Sequence, residues 1–174
     1  MSSQRRITPF ASQIHAVVAL GSNLGYGALA PAALVEAAVG RLQTLSASPV
    51  QCSRHLLTKP EGLPPGAPDF CNAVAVFEPL DTLDAHALLD RLLSIEEEFG
   101  RLRPAELSGA RYASRTLDLD LICCRGERVD SPRLQLPHPR AAQRRFVLEP
   151  LAELWPDLVL PGASASVASL LAAL

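Results

Sequence analysis

The sequence lacks the features that mark membrane, secreted and zinc-binding proteins. No uncharged apolar run reaches the roughly 18 residues that a membrane-spanning helix needs, and residues 1–13 have no apolar stretch typical of a secretory signal. The four cysteines form no C-x-x-C pair and the four histidines are scattered, so no metal-ligand spacing is present. We therefore expect a soluble, cytoplasmic protein with free, buried thiols.

Lysine and aromatic residues are also scarce. Lys59 is the only lysine, and no Gly-rich P-loop or G-x-S-x-G motif occurs. Aromatic residues make up 5% of the chain and the formal net charge is −2, whereas an RNA-binding sheet needs exposed aromatics and a basic face. We expect no nucleic-acid partner and no membrane partner.

The apolar pattern predicts an α+β protein. A chain of 174 residues, 48% of them hydrophobic, is long enough for one domain, which we place at 13–174 after a flexible tail at 1–12. Strands are predicted at 14–20, 49–57, 70–77 and 116–124, and helices at 31–45, from an N-cap at Asp81 to Phe99, at 140–148 and at 165–174. The order strand, helix, strand, strand, helix, strand is that of a ferredoxin-like α/β sandwich, with helices packed on a mainly antiparallel sheet.

The segment RTLDLDL at 115–121 is the most informative motif. On a strand, Asp118 and Asp120 would share one face and the leucines the other. Two carboxylates on one face can hold a hard cation such as Mg²⁺, although a half-exposed strand with a polar side would show the same alternation.

Arginines surround this strand in the sequence. Carboxylates that hold magnesium next to arginines that hold phosphate are the parts of a phosphoryl-transfer site, and the alternative is a solvated basic loop. Glu96 lies beside the apolar stripe of its predicted helix, so its carboxylate either reaches into a cleft or stays in water. The basic residues are Arg101, Arg103, Arg111 and Arg115, with His138, Arg140 and Arg144 further on.

Four motifs in order resemble the 6-hydroxymethyl-7,8-dihydropterin pyrophosphokinase family of folate biosynthesis. They are ALGSNLG at 19–25, TKP at 58–60 with PDFCNA at 68–73, RTLDLD at 115–120, and LPHPR at 136–140 with RRF at 144–146. The resemblance implies transfer of pyrophosphate from ATP to the pterin hydroxyl, with AMP as the other product.

The resemblance also implies a role for each site residue. Two Mg²⁺ ions would be held by Asp118 and Asp120, which with Arg101 and Arg115 would form the catalytic group. The pterin would be bound by Thr58, Pro60, Phe70, Asn72 and Phe146, the two phenyl rings stacking on it. The nucleotide would be surrounded by Glu96, Arg101, Arg103, Arg111, Arg115, Leu121, Leu134, His138 and Arg144.

Some features depart from the family pattern. Tyr112 stands where the family often has tryptophan, and the segment 103–114 is a few residues longer. A non-catalytic pterin- or nucleotide-binding module of the same fold and a kinase that transfers only the γ-phosphate are the alternatives. We expect a monomer whose partners are small molecules.

Overall fold

The computed structural model describes residues 15–60, 63–101 and 115–174. The predicted tail at 1–12 lies outside these ranges, as do Arg103, Arg111 and Tyr112. Among the described helices, none combines the length and apolar composition that crossing a membrane requires.

A five-stranded antiparallel sheet forms the centre of the described chain. Its strands are β1 (Ala16–Ser22), β2 (Gln51–Cys52), β3 (Leu56–Thr58), β4 (Phe70–Phe77) and β5 (Asp118–Cys124). The order is β2-β4-β1-β5, with β3 also paired to β4, and every pairing is antiparallel. A small hairpin follows, formed by β6 (Val129–Asp130) and β7 (Gln135–Leu136).

Helices cover both faces of this sheet. They are α1 (Pro31–Gln43), α2 (Ala85–Glu98), α3 (Arg145–Leu154) and α4 (Val167–Ala172), with a 3₁₀ turn at Ala141–Gln143. Buried residues of α1 and α2 pack on one face with Val18 and Leu20, and those of α3 and α4 pack on the other with Val17 and Ala19. The β1 strand is buried on both faces because each face carries its own helix layer. The predicted ferredoxin-like α+β fold is confirmed.

The predicted start of α2 is wrong, and local hydrogen bonds explain why. Asp84, not Asp81, is the N-cap of α2, since its side chain accepts from the backbone N–H of Ala87 at 2.8 Å. A turn from Leu80 to Leu83 precedes it, closed by a 2.9 Å bond, so the helix does not begin earlier.

The strand predicted at 49–57 is also wrong in extent. It is split into β2 and β3 at Ser53, whose hydroxyl accepts from the backbone N–H of Val74 at 3.0 Å and so replaces a backbone partner.

The helix predicted at 140–148 is displaced. Arg144 is extended, with φ −111° and ψ 109°, and separates the 3₁₀ turn from α3. The α3 helix then continues through Pro150 to Leu154, held against the sheet by buried Val147, Leu148 and Leu151. The α2 helix ends at Glu98, one residue before the predicted Phe99, and Gly100 follows it as predicted with a φ of +77° that favours glycine.

Candidate active site

Two aspartates on one strand form the centre of the candidate site. Asp118 and Asp120 lie two residues apart in β5, so both side chains leave the same face of the sheet. Their side chains are 19% and 36% exposed. The alternating leucines, by contrast, are buried among the residues that α1 and α2 cover: Leu117, Leu119 and Leu121. The predicted alternation is confirmed.

Asp118 is paired with two arginines. One carboxylate oxygen accepts from Nη1 of Arg101 and the other from Nη1 of Arg115. Burial by itself would lower the pKa of Arg101, but the charges of Asp118 and Glu96 outweigh it and the pKa is raised. Both oxygens of Asp118 therefore already face fixed positive charge.

Asp120 is paired with a third arginine. Nη1 of Arg144 donates to Oδ2 of Asp120 at 3.1 Å. The guanidinium carbon of Arg144 also lies 5.3 Å from the centroid of the Phe146 ring, a cation–π distance. Arg144 thus links a carboxylate of β5 to an aromatic ring in the first turn of α3.

His138 lies beside Asp120 in this arrangement. Its backbone N–H donates to the carbonyl of Ile122 at 2.8 Å, and its Nδ1 accepts from the backbone N–H of Arg140 at 3.2 Å. Burial lowers the pKa of His138, and the charges of Arg144 and Arg140 lower it further against the opposing effect of Asp120. Because Nδ1 accepts the bond from Arg140, Nε2 is the ring nitrogen that is left to donate.

Glu96 is buried rather than solvated. Its side chain is 1% exposed, and its Oε1 accepts from the backbone N–H of Leu119 at 2.7 Å and also from Nη1 of Arg101. Leu119 lies between the two aspartates on β5, the last strand of the sheet order. Glu96 therefore occupies the outer edge of that strand and neutralises part of the charge of Arg101.

A cleft of about 500 Å³ opens beside β5. The structure brings eight of the predicted residues to it: Glu96, Arg101, Arg115, Asp118, Asp120, Leu121, Leu134 and His138. Arg144 is not among the residues that line the cleft, but it is bonded to Asp120, which is. Several other lining residues were not predicted from the sequence, and they belong to α2, to the turn between β6 and β7, to β7 and to the segment after it: Leu89, Leu93, Ser131, Pro132, Arg133, Gln135 and Pro139. Leucines at helical spacing and a proline-containing turn are common in proteins, so no sequence signal distinguishes these lining residues from ordinary core and loop residues.

Three of the residues predicted to bind a pterin lie together on the paired strands β3 and β4, across β1 from β5: Thr58, Phe70 and Asn72. Nδ2 of Asn72 donates to the hydroxyl of Thr58 at 2.8 Å across the β3–β4 pairing. Asn72 is 5% exposed, and Phe70 begins the same strand. Pro60 follows Thr58 by two residues, and Phe146, in the first turn of α3, packs against the core that α3 and α4 cover. None of these five lines the 500 Å³ cleft.

Gly21 lies on β1, between β4 and β5. It is the partner of Asn72 on one side and of Asp118 on the other, so all three positions share one face of the sheet. A Cβ at Gly21 would lie 3.0 Å from Oδ1 of Asn72 and 3.9 Å from the ring of Phe70. The absence of a side chain at Gly21 therefore lets the Asn72 amide lie close against β1.

The donor set of β5 suits a hard divalent cation. Asp118 and Asp120 offer carboxylate oxygens on one face, partly exposed to the cleft. No group of three acidic, histidine or cysteine side chains that could hold a metal occurs in the described residues. Magnesium fits such a site, because it is usually bound by one or two carboxylates together with substrate phosphates and water.

The fold and the cleft define a class: a ferredoxin-like α+β protein with carboxylates and arginines arranged for phosphate chemistry. A family profile described as 7,8-dihydro-6-hydroxymethylpterin-pyrophosphokinase matches residues 17–156. This match spans most of the chain. The chain belongs to the 7,8-dihydro-6-hydroxymethylpterin-pyrophosphokinase family.

Three curated relatives, each named 2-amino-4-hydroxy-6-hydroxymethyldihydropteridine pyrophosphokinase, are similar over most of their length. The protein of Synechocystis sp. is 36% identical over 171 residues, covering 94% of this chain and 78% of the relative. The proteins of Haemophilus influenzae and Pseudomonas aeruginosa are each 40% identical over 149 residues, covering 85% and 83% of this chain and 86% and 82% of the relatives. The family predicted from the four motifs is confirmed.

Proposed function

We propose that this chain transfers pyrophosphate from ATP to the hydroxyl of 6-hydroxymethyl-7,8-dihydropterin, giving AMP and the pterin diphosphate in folate biosynthesis. One structural observation supports the proposal in addition to family membership. Asp118 and Asp120 share one face of β5, and each is paired with an arginine beside the cleft. A site for transferring a polyphosphate needs these two kinds of group within reach of each other.

The nucleotide is assigned to the 500 Å³ cleft. Arg101 and Arg115 would exchange their contacts with Asp118 for contacts with phosphate oxygens, and guanidinium forks suit those oxygens. His138 would donate from Nε2 to a phosphate oxygen. Leu121 and Leu134, which are 4% and 6% exposed, would supply an apolar wall for the adenine.

The pterin is assigned to the group around Asn72. Its amide offers both a donor and an acceptor, as the edge of a pterin requires, and its bond to Thr58 fixes its orientation. Phe70 and Phe146 would stack on the flat ring. A ring lying over Gly21 would direct its hydroxymethyl group toward Asp118, because adjacent strands are only about 4.8 Å apart.

Asp118 and Asp120 would hold two magnesium ions together with the phosphates of ATP. When bound, the metal would neutralise charge on the phosphates. The chain's own residues would position the substrate hydroxyl for in-line attack on the β-phosphorus. The bond from this phosphorus to the oxygen that bridges it to the α-phosphorus breaks, AMP leaves with that oxygen, and the hydroxyl proton passes to water. Arg144, fixed by Asp120 and Phe146, would stabilise negative charge that moves during transfer.

The deciding experiment incubates the protein with ATP, Mg²⁺ and 6-hydroxymethyl-7,8-dihydropterin and resolves AMP from ADP. We expect AMP and a pterin diphosphate in equal amounts, and no AMP when the pterin is omitted. ADP as the nucleotide product would contradict pyrophosphoryl transfer and indicate a γ-phosphate kinase. Pterin binding by calorimetry without turnover would favour the non-catalytic module.

The proposed enzyme acts as a cytoplasmic monomer. Light scattering coupled to gel filtration should give a mass near 18.6 kDa. A mass of twice this value at micromolar concentration would overturn the monomer proposal.

A further inference from the structure

Asn23 is a buried polar residue directly after β1 to which no role has been assigned above. It is 2% exposed and does not line the 500 Å³ cleft. A buried polar side chain is unfavourable unless its hydrogen bonds are satisfied. The partners of Asn23 therefore show what its position requires.

One set of contacts fixes the backbone of Arg115. Oδ1 of Asn23 accepts from the backbone N–H of Arg115 at 2.7 Å. The backbone N–H groups of Asn23 and Leu24 both donate to the carbonyl of Arg115 at 3.1 Å. Both polar groups of the Arg115 backbone are thus held, and its side chain reaches Asp118 from this fixed point.

Another contact reaches the pterin side. Nδ2 of Asn23 donates to the carbonyl of Pro68 at 3.2 Å. Pro68 precedes Phe70, the first residue of β4, by two positions. Between them Asp69 is paired with Lys59 at 2.9 Å, so this segment is held from two directions.

We infer that Asn23 is a positioning residue that ties the nucleotide side of the site to the pterin side. Its acceptor atom holds Arg115 and its donor atom holds the segment that leads to Phe70. Of the side chains of this size, only an amide supplies both atoms: aspartate keeps the acceptor alone, and alanine keeps neither. The inference rests on the proposed function for the roles of Arg115 and Phe70.

The test compares Asn23→Asp with Asn23→Ala by calorimetry. The nucleotide probe is the magnesium complex of α,β-methylene-ATP, which cannot be cleaved between the α- and β-phosphorus. The pterin probe is 6-hydroxymethyl-7,8-dihydropterin, titrated into protein saturated with that analogue. We expect Asn23→Asp to weaken pterin binding about 3- to 10-fold with little change for the nucleotide, and Asn23→Ala to weaken both by about that factor.

A matched control separates positioning from general destabilisation. Asp84→Ala removes the cap bond to the N–H of Ala87 at 2.8 Å, at the end of α2 remote from Glu96. It should lower Tm and leave both affinities unchanged. If the Asn23 variants behave in the same way, the inference is wrong. It is equally wrong if Asn23→Asp weakens both ligands to the same degree.

AMP formation by the unaltered protein is measured in parallel. Absence of AMP would refute the proposed function. The affinities of the Asn23 variants test separately whether Asn23 links Arg115 to the segment before Phe70. Aspartate is nearly the same size and shape as asparagine, so Asn23→Asp can be tested even if Asn23→Ala does not fold. The inference requires Asn23→Asp to weaken pterin binding selectively, so this variant alone can contradict it.

Discussion

Glu96 accepts a hydrogen bond from the backbone N–H of Leu119 at 2.7 Å. This bond joins the last turns of α2 to the strand that carries both aspartates, at the residue between them. The same carboxylate oxygen accepts from Arg101. Glu96 therefore sets the position of an acidic strand and of a basic side chain at once, without needing to touch a substrate.

We predict that Glu96→Gln keeps the fold and lowers kcat/KM for ATP by about 10- to 100-fold. The amide oxygen can still accept from Leu119, but the buried charge that faces Arg101 is lost, and hydrogen bonds to charged groups contribute about 1.5–3 kcal/mol. Steady-state kinetics with ATP varied at saturating pterin would measure the change.

Glu97→Gln is the matched control, since Glu97 is the exposed neighbour on the same helix. It should leave kcat/KM unchanged. Glu96→Ala is expected to be more severe and to lower the free energy of unfolding by about 3–5 kcal/mol, because it removes one of the carboxylates that balance the partly buried charge of Arg101. Wild-type kinetics for Glu96→Gln would show that the charge has no role.

We predict that Asp120→Ala abolishes AMP formation while leaving the fold intact. Asp120 is 36% exposed and lies outside both core clusters, so its loss removes a proposed metal ligand and not a packing contact. Product assay and thermal unfolding would be compared with those of Asp157→Ala, another exposed aspartate. Full turnover of Asp120→Ala with magnesium would contradict the metal assignment.

The sequence predicted the parts of this site that depend on local periodicity. Alternation along β5 placed Asp118 and Asp120 on one face, and the structure has them there. The resemblance to the family implied that Asn72 and Thr58 act together, and the two hydrogen-bond each other. Such features follow from a strand's two-residue repeat and from short, ordered motifs.

Contacts between distant segments were not predictable in the same way. Asn23 and Arg115 are 92 residues apart, and the burial of Glu96 depends on how α2 packs against β5. The cap at Asp84 was misplaced by three residues because Asp81 carries the same side chain, and only the turn between them distinguishes the two. Tertiary packing decides the first two cases, and a local turn decides the third.

We predict that Gly21→Ala weakens pterin binding and leaves nucleotide binding unchanged. The added Cβ would lie 3.0 Å from Oδ1 of Asn72, so the amide must move from the position that its bond to Thr58 sets. A loss of about tenfold, or roughly 1.4 kcal/mol, is expected in the calorimetric affinity for the pterin.

Gly40→Ala provides the control for this glycine substitution. Gly40 lies inside α1, and an added Cβ there meets nothing within 4 Å. Alanine should stabilise the helix by about 0.5–1 kcal/mol and change neither affinity. Unaltered pterin binding in Gly21→Ala would show that the space above Gly21 is not used by the ligand.

The cysteines give a prediction that depends on pH. All four are free, and burial raises the pKa of Cys123 from 9.0 to about 12 and that of Cys124 and Cys52 to about 11. Because only the thiolate is alkylated, these three should react with iodoacetamide at least about 100-fold more slowly in the native protein than in urea. Mass spectrometry of peptides over time would measure the rates, with glutathione as the reference thiol.

The same pKa shifts predict how stability changes with pH. In the folded protein these thiols stay protonated above pH 9, whereas in the unfolded chain they lose their protons there. The unfolded state therefore binds fewer protons, and the free energy of unfolding should fall as pH rises from about 9 toward the folded pKa values of about 11 and 12. Urea unfolding at a series of pH values would measure this slope, and Cys123→Ala should reduce it. Both cysteine predictions depend on the burial of Cys123. If iodoacetamide alkylated Cys123 in the native protein as fast as it alkylates glutathione, that burial would be contradicted.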